Sequence, residues 1–171
     1  MVFKLSHFWL IFLNIILWIM IHIGVSWACS RIPLSQFNPY SAFYRIKKIE
    51  KNGKLYTGFF KIKKWKHLLP DGAKLFKRGF PKKNLENCSI DYLKTFTKET
   101  CRAELTHWLQ ILPSGIFFLW NVWWAGIIMI VYRLLANIPC ILLQRYNRVR
   151  LIRVMRNQEM GPDSRFTAPF I

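Results

Sequence analysis

The sequence predicts a mainly α-helical integral membrane protein, and three observations carry that expectation. The chain of 171 residues is 53% hydrophobic and 16% aromatic, with eight Trp and fourteen Phe, a content unusual for one soluble domain. Two apolar blocks, Phe8 to Ala28 and Leu105 to Leu143, are nearly free of charge. The net charge of +18 lies almost wholly outside them, in the stretch Arg31 to Arg102 and the tail from Arg145 to Arg165, with Lys4 and Arg133 as exceptions. A pI near 10.2 would also suit a nucleic-acid binder. Basic flanks on apolar blocks instead fit anionic membrane lipid, at about 1 kcal/mol per basic residue near the surface, so no nucleic-acid partner is expected.

Residues 1–30 form the first element. Phe8 to Ala28 contains no Lys, Arg, Asp or Glu, and about 21 residues at about 1.5 Å each cross a hydrocarbon core. A cleaved signal peptide is the competing reading, with Ser26-Trp27-Ala28 before Cys29 as a faint cleavage site. Against it stand the single lysine, the length of the apolar run and a Trp where a small residue is wanted.

Residues 31–103 form a basic cytoplasmic loop region punctuated by Pro33, Asn38-Pro39, Asn52-Gly53 and Asp71-Gly72. Asn-Gly between two loosely alternating runs is a hairpin signal, so a small β-hairpin or a membrane-hugging amphipathic segment is expected around it. A helix begins at Ser89 or Asn87 as cap, with Asp91 in its first turn suiting the dipole, and its pattern Ile90, Leu93, Phe96 and Thr97 continues toward Trp108.

Residues 104–144 read as a kinked transmembrane helical hairpin, because about 39 nearly uncharged residues are roughly twice one span. The turn falls near Trp120 to Trp124, an interfacial aromatic cluster, with Pro113 and Asn137-Ile138-Pro139 as kinks. Arg133 within the second arm costs about 2.5 to 3.5 kcal/mol unless it faces a polar cleft or snorkels. Residues 145–171 form a basic tail. By the positive-inside rule the loop and tail are cytoplasmic and the chain is multi-pass, with three crossings.

Chemistry can sit in two places. His67 and Asp71 are four apart amid Lys63, Lys64, Trp65 and Lys66. A histidine oriented by a carboxylate can deprotonate a hydroxyl for attack on an activated acyl group, and the lysines would draw a phosphate-bearing acyl donor such as acyl-CoA or acyl carrier protein. Glu104 and His107 share a helix face at the membrane lip, beside Arg102 and Trp108. The bland readings are a lipid-docking loop and a self-satisfied helix end, and Asn137 would bridge helices. Cys29, Cys88, Cys101 and Cys140 show no zinc-like spacing, so neither a metal nor a cofactor is expected. No P-loop, GxSxG, HExxH or Rossmann glycine pattern occurs.

Three blocks carry a resemblance: Lys64-Trp65-Lys66-His67 with Asp71-Gly72; Arg102-Ala103-Glu104-Leu105 with His107-Trp108 and Ile111-Leu112-Pro113; and Ala136-Asn137 with Pro139 and Gln144-Arg145-Tyr146-Asn147-Arg148. In that order the chain resembles the bacterial glycosyl-4,4'-diaponeurosporenoate acyltransferases. The resemblance implies a small enzyme of the bacterial cell membrane that esterifies a fatty acyl chain onto the glucose 6-hydroxyl of a glycosylated C30 carotenoid acid, in staphyloxanthin-type pigment synthesis. On this reading the general base is His67 with Asp71 or His107 with Glu104, His67 being favoured. Lys64, Trp65, Lys66, Arg102, Trp108, Asn137, Arg145, Asn147 and Arg148 are the candidate substrate-binding residues, with the arginines for donor phosphate or a developing oxyanion. The alternative is a non-enzymatic basic membrane protein that scaffolds pigment or lipid enzymes.

Overall fold

A computed structural model describes residues 6–69 and 89–159, and every element of more than one turn in it is helical. Helix α1 spans His7–Arg31; short helices α2 (Lys54–Gly58) and α3 (Ile62–Trp65) follow, then α4 (Ile90–Ile111) and α5 (Trp123–Glu159). Turns of 3₁₀ helix occupy Leu34–Gln36, Lys48–Gly53, Lys66–Leu68 and Leu112–Leu119. The chain divides into two compact units, one of residues 1–32 with 103–141 and the other of residues 33–102 with 142–171.

The first unit is built inside out. Phe8, Trp9, Ile11, Phe12, Ile15, Ile19, Met20 and Ile23 on α1 are exposed, as are Trp123, Ile127, Ile128, Val131, Leu135 and Ile138 on α5. α1 and α5 are long and apolar enough to cross a membrane, with only 11% and 22% of their apolar windows buried. A core helix hidden within this chain would bury most of that surface, so the exposure fits side chains meant for lipid. Its apolar core is Leu10, Phe117 and Trp120, backed by Leu13, Leu17, Trp18, Ile21 and Met129.

Pairings along the interior give the topology. Asn14 and Asn121 exchange amide hydrogen bonds at 3.0 Å each, the Trp18 indole N–H donates to Met129 Sδ, and His22 meets Arg133. Partner numbers rise together, so α1 and the first half of α5 run parallel. Gln110 donates to Ser26 at 3.1 Å while Trp120 donates to Asn14, so the segment between them runs antiparallel to α1. The reversal at 120–122 lies within the expected turn region. The first arm of the expected hairpin is split: α4 stops at Ile111 and Pro113 enters the 3₁₀ segment at its second position, where a missing N–H costs least. Pro139, the expected kink of the second arm, lies inside α5, which stays helical through it.

In the second unit the expected β-hairpin is not formed: among the described residues there is no strand, and Lys48–Gly53 and Lys54–Gly58 are helical turns. Gly53 does take the left-handed conformation, with φ 92°. It uses that freedom as the residue leading into α2 rather than to reverse a ladder. Two apolar clusters hold this unit. Tyr56, Ile62, Tyr146 and Val149 gather Phe60, Trp65, Leu142 and Leu143; Leu93, Phe96, Leu151 and Met155 gather Tyr92, Ile152 and Val154. Ser89 Oγ accepts from the Tyr92 backbone N–H, so Ser89 serves as the cap of α4.

Candidate active site

The first unit assembles its polar side chains along one line. On α1, Asn14, Trp18, His22 and Ser26 stand four residues apart, a spacing that stacks them on one helix face. Each meets a partner: Asn14 with Trp120 and Asn121, Trp18 with Met129, His22 with Arg133, Ser26 with Gln110. On α5, Arg133 and Asn137 are one turn apart and are 0% and 1% exposed. In an apolar setting such cross-helix bonds replace water as partners.

His107 belongs to this line. Its Nδ1 lies 2.9 Å from Asn137 Oδ1, while Asn137 Nδ2 donates to the Arg133 carbonyl at 3.0 Å. The second bond fixes which way the amide points, so the oxygen faces the imidazole and can only accept. His107 Nδ1 therefore carries the proton, and in the neutral ring Nε2 is the basic nitrogen. A half-buried imidazole with one nitrogen anchored and the other basic is the arrangement of an oriented general base. One turn away, Arg133 Nη1 donates to His22 Nε2 at 2.7 Å, and the guanidinium carbon sits 3.6 Å from the centroid of the Trp18 ring.

The remaining candidates fall in diverse settings. Glu104 is 1% exposed and Trp108 is 40% exposed. His67 is exposed in the 3₁₀ turn Lys66–Leu68, and Asp71, its expected partner, lies outside the described residues. Lys64 is exposed and Lys66 half-buried. The Trp65 indole N–H donates to the Phe60 carbonyl at 2.8 Å, which ties it into the apolar cluster around Ile62. Arg102 pairs with Glu99 at 2.6 Å, one turn back on α4. Asn147 is half-buried on α5.

Arg145 and Arg148 are engaged by the protein itself. Arg145 donates through Nε and Nη2 to Glu50 Oε1, and also to the carbonyls of Phe43 and Arg45. Arg148, 1% exposed, donates to Cys101 Sγ at 3.2 Å and lies over the Tyr44 ring. Glu50 was not among the sequence candidates. Neither were Trp18 and His22, although their four-residue register with Asn14 and Ser26 was the signal that marks an inward face. Among the described residues no group of three His, Cys, Asp or Glu could hold a metal ion.

Comparison with known proteins decides the family. A model of the glycosyl-4,4'-diaponeurosporenoate acyltransferases matches residues 39–157. The chain belongs to this family. It therefore shares its class with acyltransferases of carotenoid pigment synthesis. Glycosyl-4,4'-diaponeurosporenoate acyltransferase from Staphylococcus aureus strain MRSA252 is 35% identical over 139 residues, 81% of this chain and 84% of the relative. The proteins of the same name from the bovine strain RF122 / ET3-1 and from strain USA300 are 34% identical over the same shares. No solved structure matches the chain. The matched region takes in His67, His107, Asn137, Arg145 and Arg148, and leaves α1 outside.

Proposed function

We propose that this acyltransferase moves a fatty acyl chain onto the glucose 6-hydroxyl of a glycosylated C30 carotenoid acid, with His107 as general base and Asn137 as the residue that orients it. The observation that carries this reading is the anchored imidazole in a chain of this family. His107 Nε2 takes the proton of the sugar hydroxyl as the oxygen attacks the acyl carbonyl. The tetrahedral intermediate then collapses, expelling the donor's leaving group, which takes the proton back from the imidazolium. The lysines of the 31–103 region would draw a phosphate-bearing donor, acyl-CoA or acyl carrier protein. Anionic lipid would hold the same basic surface at the membrane. By the positive-inside rule, the loop and tail lie on the cytoplasmic side of the cell membrane and the chain crosses three times.

The test is replacement of each histidine, with ester formation followed by mass spectrometry in purified membranes containing the glycosylated carotenoid acid. His107→Ala is expected to lower the initial rate by about 10²- to 10⁴-fold, the usual worth of a general base. His67→Ala is expected to keep most of the rate. The opposite order would transfer the role to His67, and full activity in both variants would remove the general-base mechanism.

A further inference from the structure

Within the first unit an open-sided groove of about 560 Å³ runs between α1 and α5, lined by Ile15, Trp18, Ile19, His22, Ile128 and Tyr132 among others. Arg133 is 0% exposed and stays behind this wall, whereas His22 is exposed and forms part of it. A guanidinium can only donate, so the 2.7 Å contact with Arg133 Nη1 makes His22 Nε2 the acceptor. The proton of the neutral ring is then on Nδ1, and this Nδ1–H has no hydrogen-bond partner. Because Nε2 is turned to the buried arginine, Nδ1 is on the ring edge left to the groove.

Inside a span there is no water to meet such a donor, so the groove favours an apolar ligand that brings an acceptor oxygen to His22. Position narrows the choice. His22 lies six residues before Ala28, the end of the apolar run of α1, or about 9 Å inside it. Phospholipid ester oxygens stay at the rim of the hydrocarbon core and do not reach that level. The wall is also stiff: Trp18 stacks on Phe117 at 4.4 Å, carries the Arg133 guanidinium at 3.6 Å and meets Tyr132 edge-on. A stiff wall suits a rigid conjugated chain, which loses little freedom on binding, better than a saturated chain that must freeze many torsions.

We propose that the groove seats the acyl acceptor: the inner part of its conjugated C30 chain lies between α1 and α5, and the ester carbonyl joining that chain to glucose accepts from His22 Nδ1–H. The direction agrees with the candidate base. Because α1 and α5 run parallel, the track from Ile15 to His22, about 10 Å long, leads toward Asn137. Asn137 is four residues beyond Arg133, about 6 Å along α5, and its Oδ1 holds His107. A glucose unit spans a comparable distance from its anomeric ester to its 6-hydroxyl. A carbonyl at His22 therefore brings that hydroxyl to the level of His107, while the far end of the chain passes Ile15 into lipid. The identity of the ligand rests on the acyl-transfer reading; the unmet donor in an apolar groove does not.

The experiment titrates the full chain in nanodiscs with the glycosylated carotenoid acid, without acyl donor, and reads circular dichroism across the visible band of the polyene. A polyene loose in lipid gives only a weak signal there, and one seated in a chiral groove gives an induced band, which the native chain is expected to show. His22→Phe should weaken binding about fivefold, the worth of one neutral hydrogen bond. His22→Gln, which keeps an acceptor for Arg133 and a donor for the groove, should restore it. An ether analogue with CH2 in place of the carbonyl should bind the native chain and His22→Phe alike. Ile19→Trp, which fills the groove and leaves His22 and Arg133 in place, should cut the band about tenfold, and it tests the site even if His22→Phe does not fold. His107→Gln should abolish ester formation and keep the band, so a failure of the general-base mechanism is seen separately from a failure of this site. No induced band from a native chain that forms ester, a band undiminished by Ile19→Trp, or displacement of the carotenoid by palmitate would overturn the proposal.

Discussion

Removing the Asn137 side chain measures how much of the rate depends on holding the imidazole. Asn137→Ala leaves the Nδ1–H of His107 without the acceptor now 2.9 Å away. The site is 1% exposed, so bulk water does not replace the lost oxygen. An unmet donor in such a place costs about 1 to 3 kcal/mol. If that penalty falls on the oriented state, a decade per about 1.4 kcal/mol gives a rate about 5- to 150-fold lower. Asn137→Asp keeps an acceptor and is expected to lose less. The assay is the initial rate of ester formation, normalised to protein in the membrane, for both single variants with His107→Ala and for the double variant. Residues acting as one unit are not additive, so Asn137→Ala should do no further harm once His107 is gone. A full second penalty in the double variant, or a native rate for Asn137→Ala beside an inactive His107→Ala, would refute the dyad.

Two further predictions concern the second unit. Glu50→Gln strips the carboxylate from Arg145, whose side chain is 13% exposed against 5% for Glu50; because the pair is not fully buried, the loss is expected below the roughly 3 to 5 kcal/mol of a buried pair, read as a lower thermal midpoint, with Arg145→Lys a poor rescue because it lacks the fork. Gly53→Ala forces a Cβ onto a left-handed backbone and within 3.3 Å of Val149 Cγ1. It should destabilise by about 1 kcal/mol or more, and Gly53→Asn by less, in the same unfolding measurement.

What the sequence made legible was what depends on local composition. The apolar run of α1 and the reversal at 120–122 follow from hydropathy and a tryptophan cluster. The Ser89 cap follows from side-chain chemistry. Asn52-Gly53 misled because a left-handed glycine serves a helix entry as readily as a hairpin, and only packing against Val149 separates the two. The site shows the same division. His107 could be picked out at the membrane lip, and its neighbour Glu104 could be found by helical spacing. Asn137 comes from thirty residues away on another helix, which no spacing rule pairs with it. Arg133 was legible as a charge needing a cleft; that His22 would meet it depended on two helices running parallel.

The stripe of Asn14, Trp18, His22 and Ser26 also sets an order of events. α1 is synthesised first, and its partners follow 84 residues later for Ser26, 107 for Asn14 and 111 for His22. At about 5 to 20 residues per second, the stripe is made several seconds before its partners. α1 is therefore apolar over most of its surface yet polar on the one face that its later partners claim. Gln110 on α4 is made first and meets the Ser26 end of the stripe, the Asn121 turn follows at the Asn14 end, and Met129 and Arg133 fill the middle last.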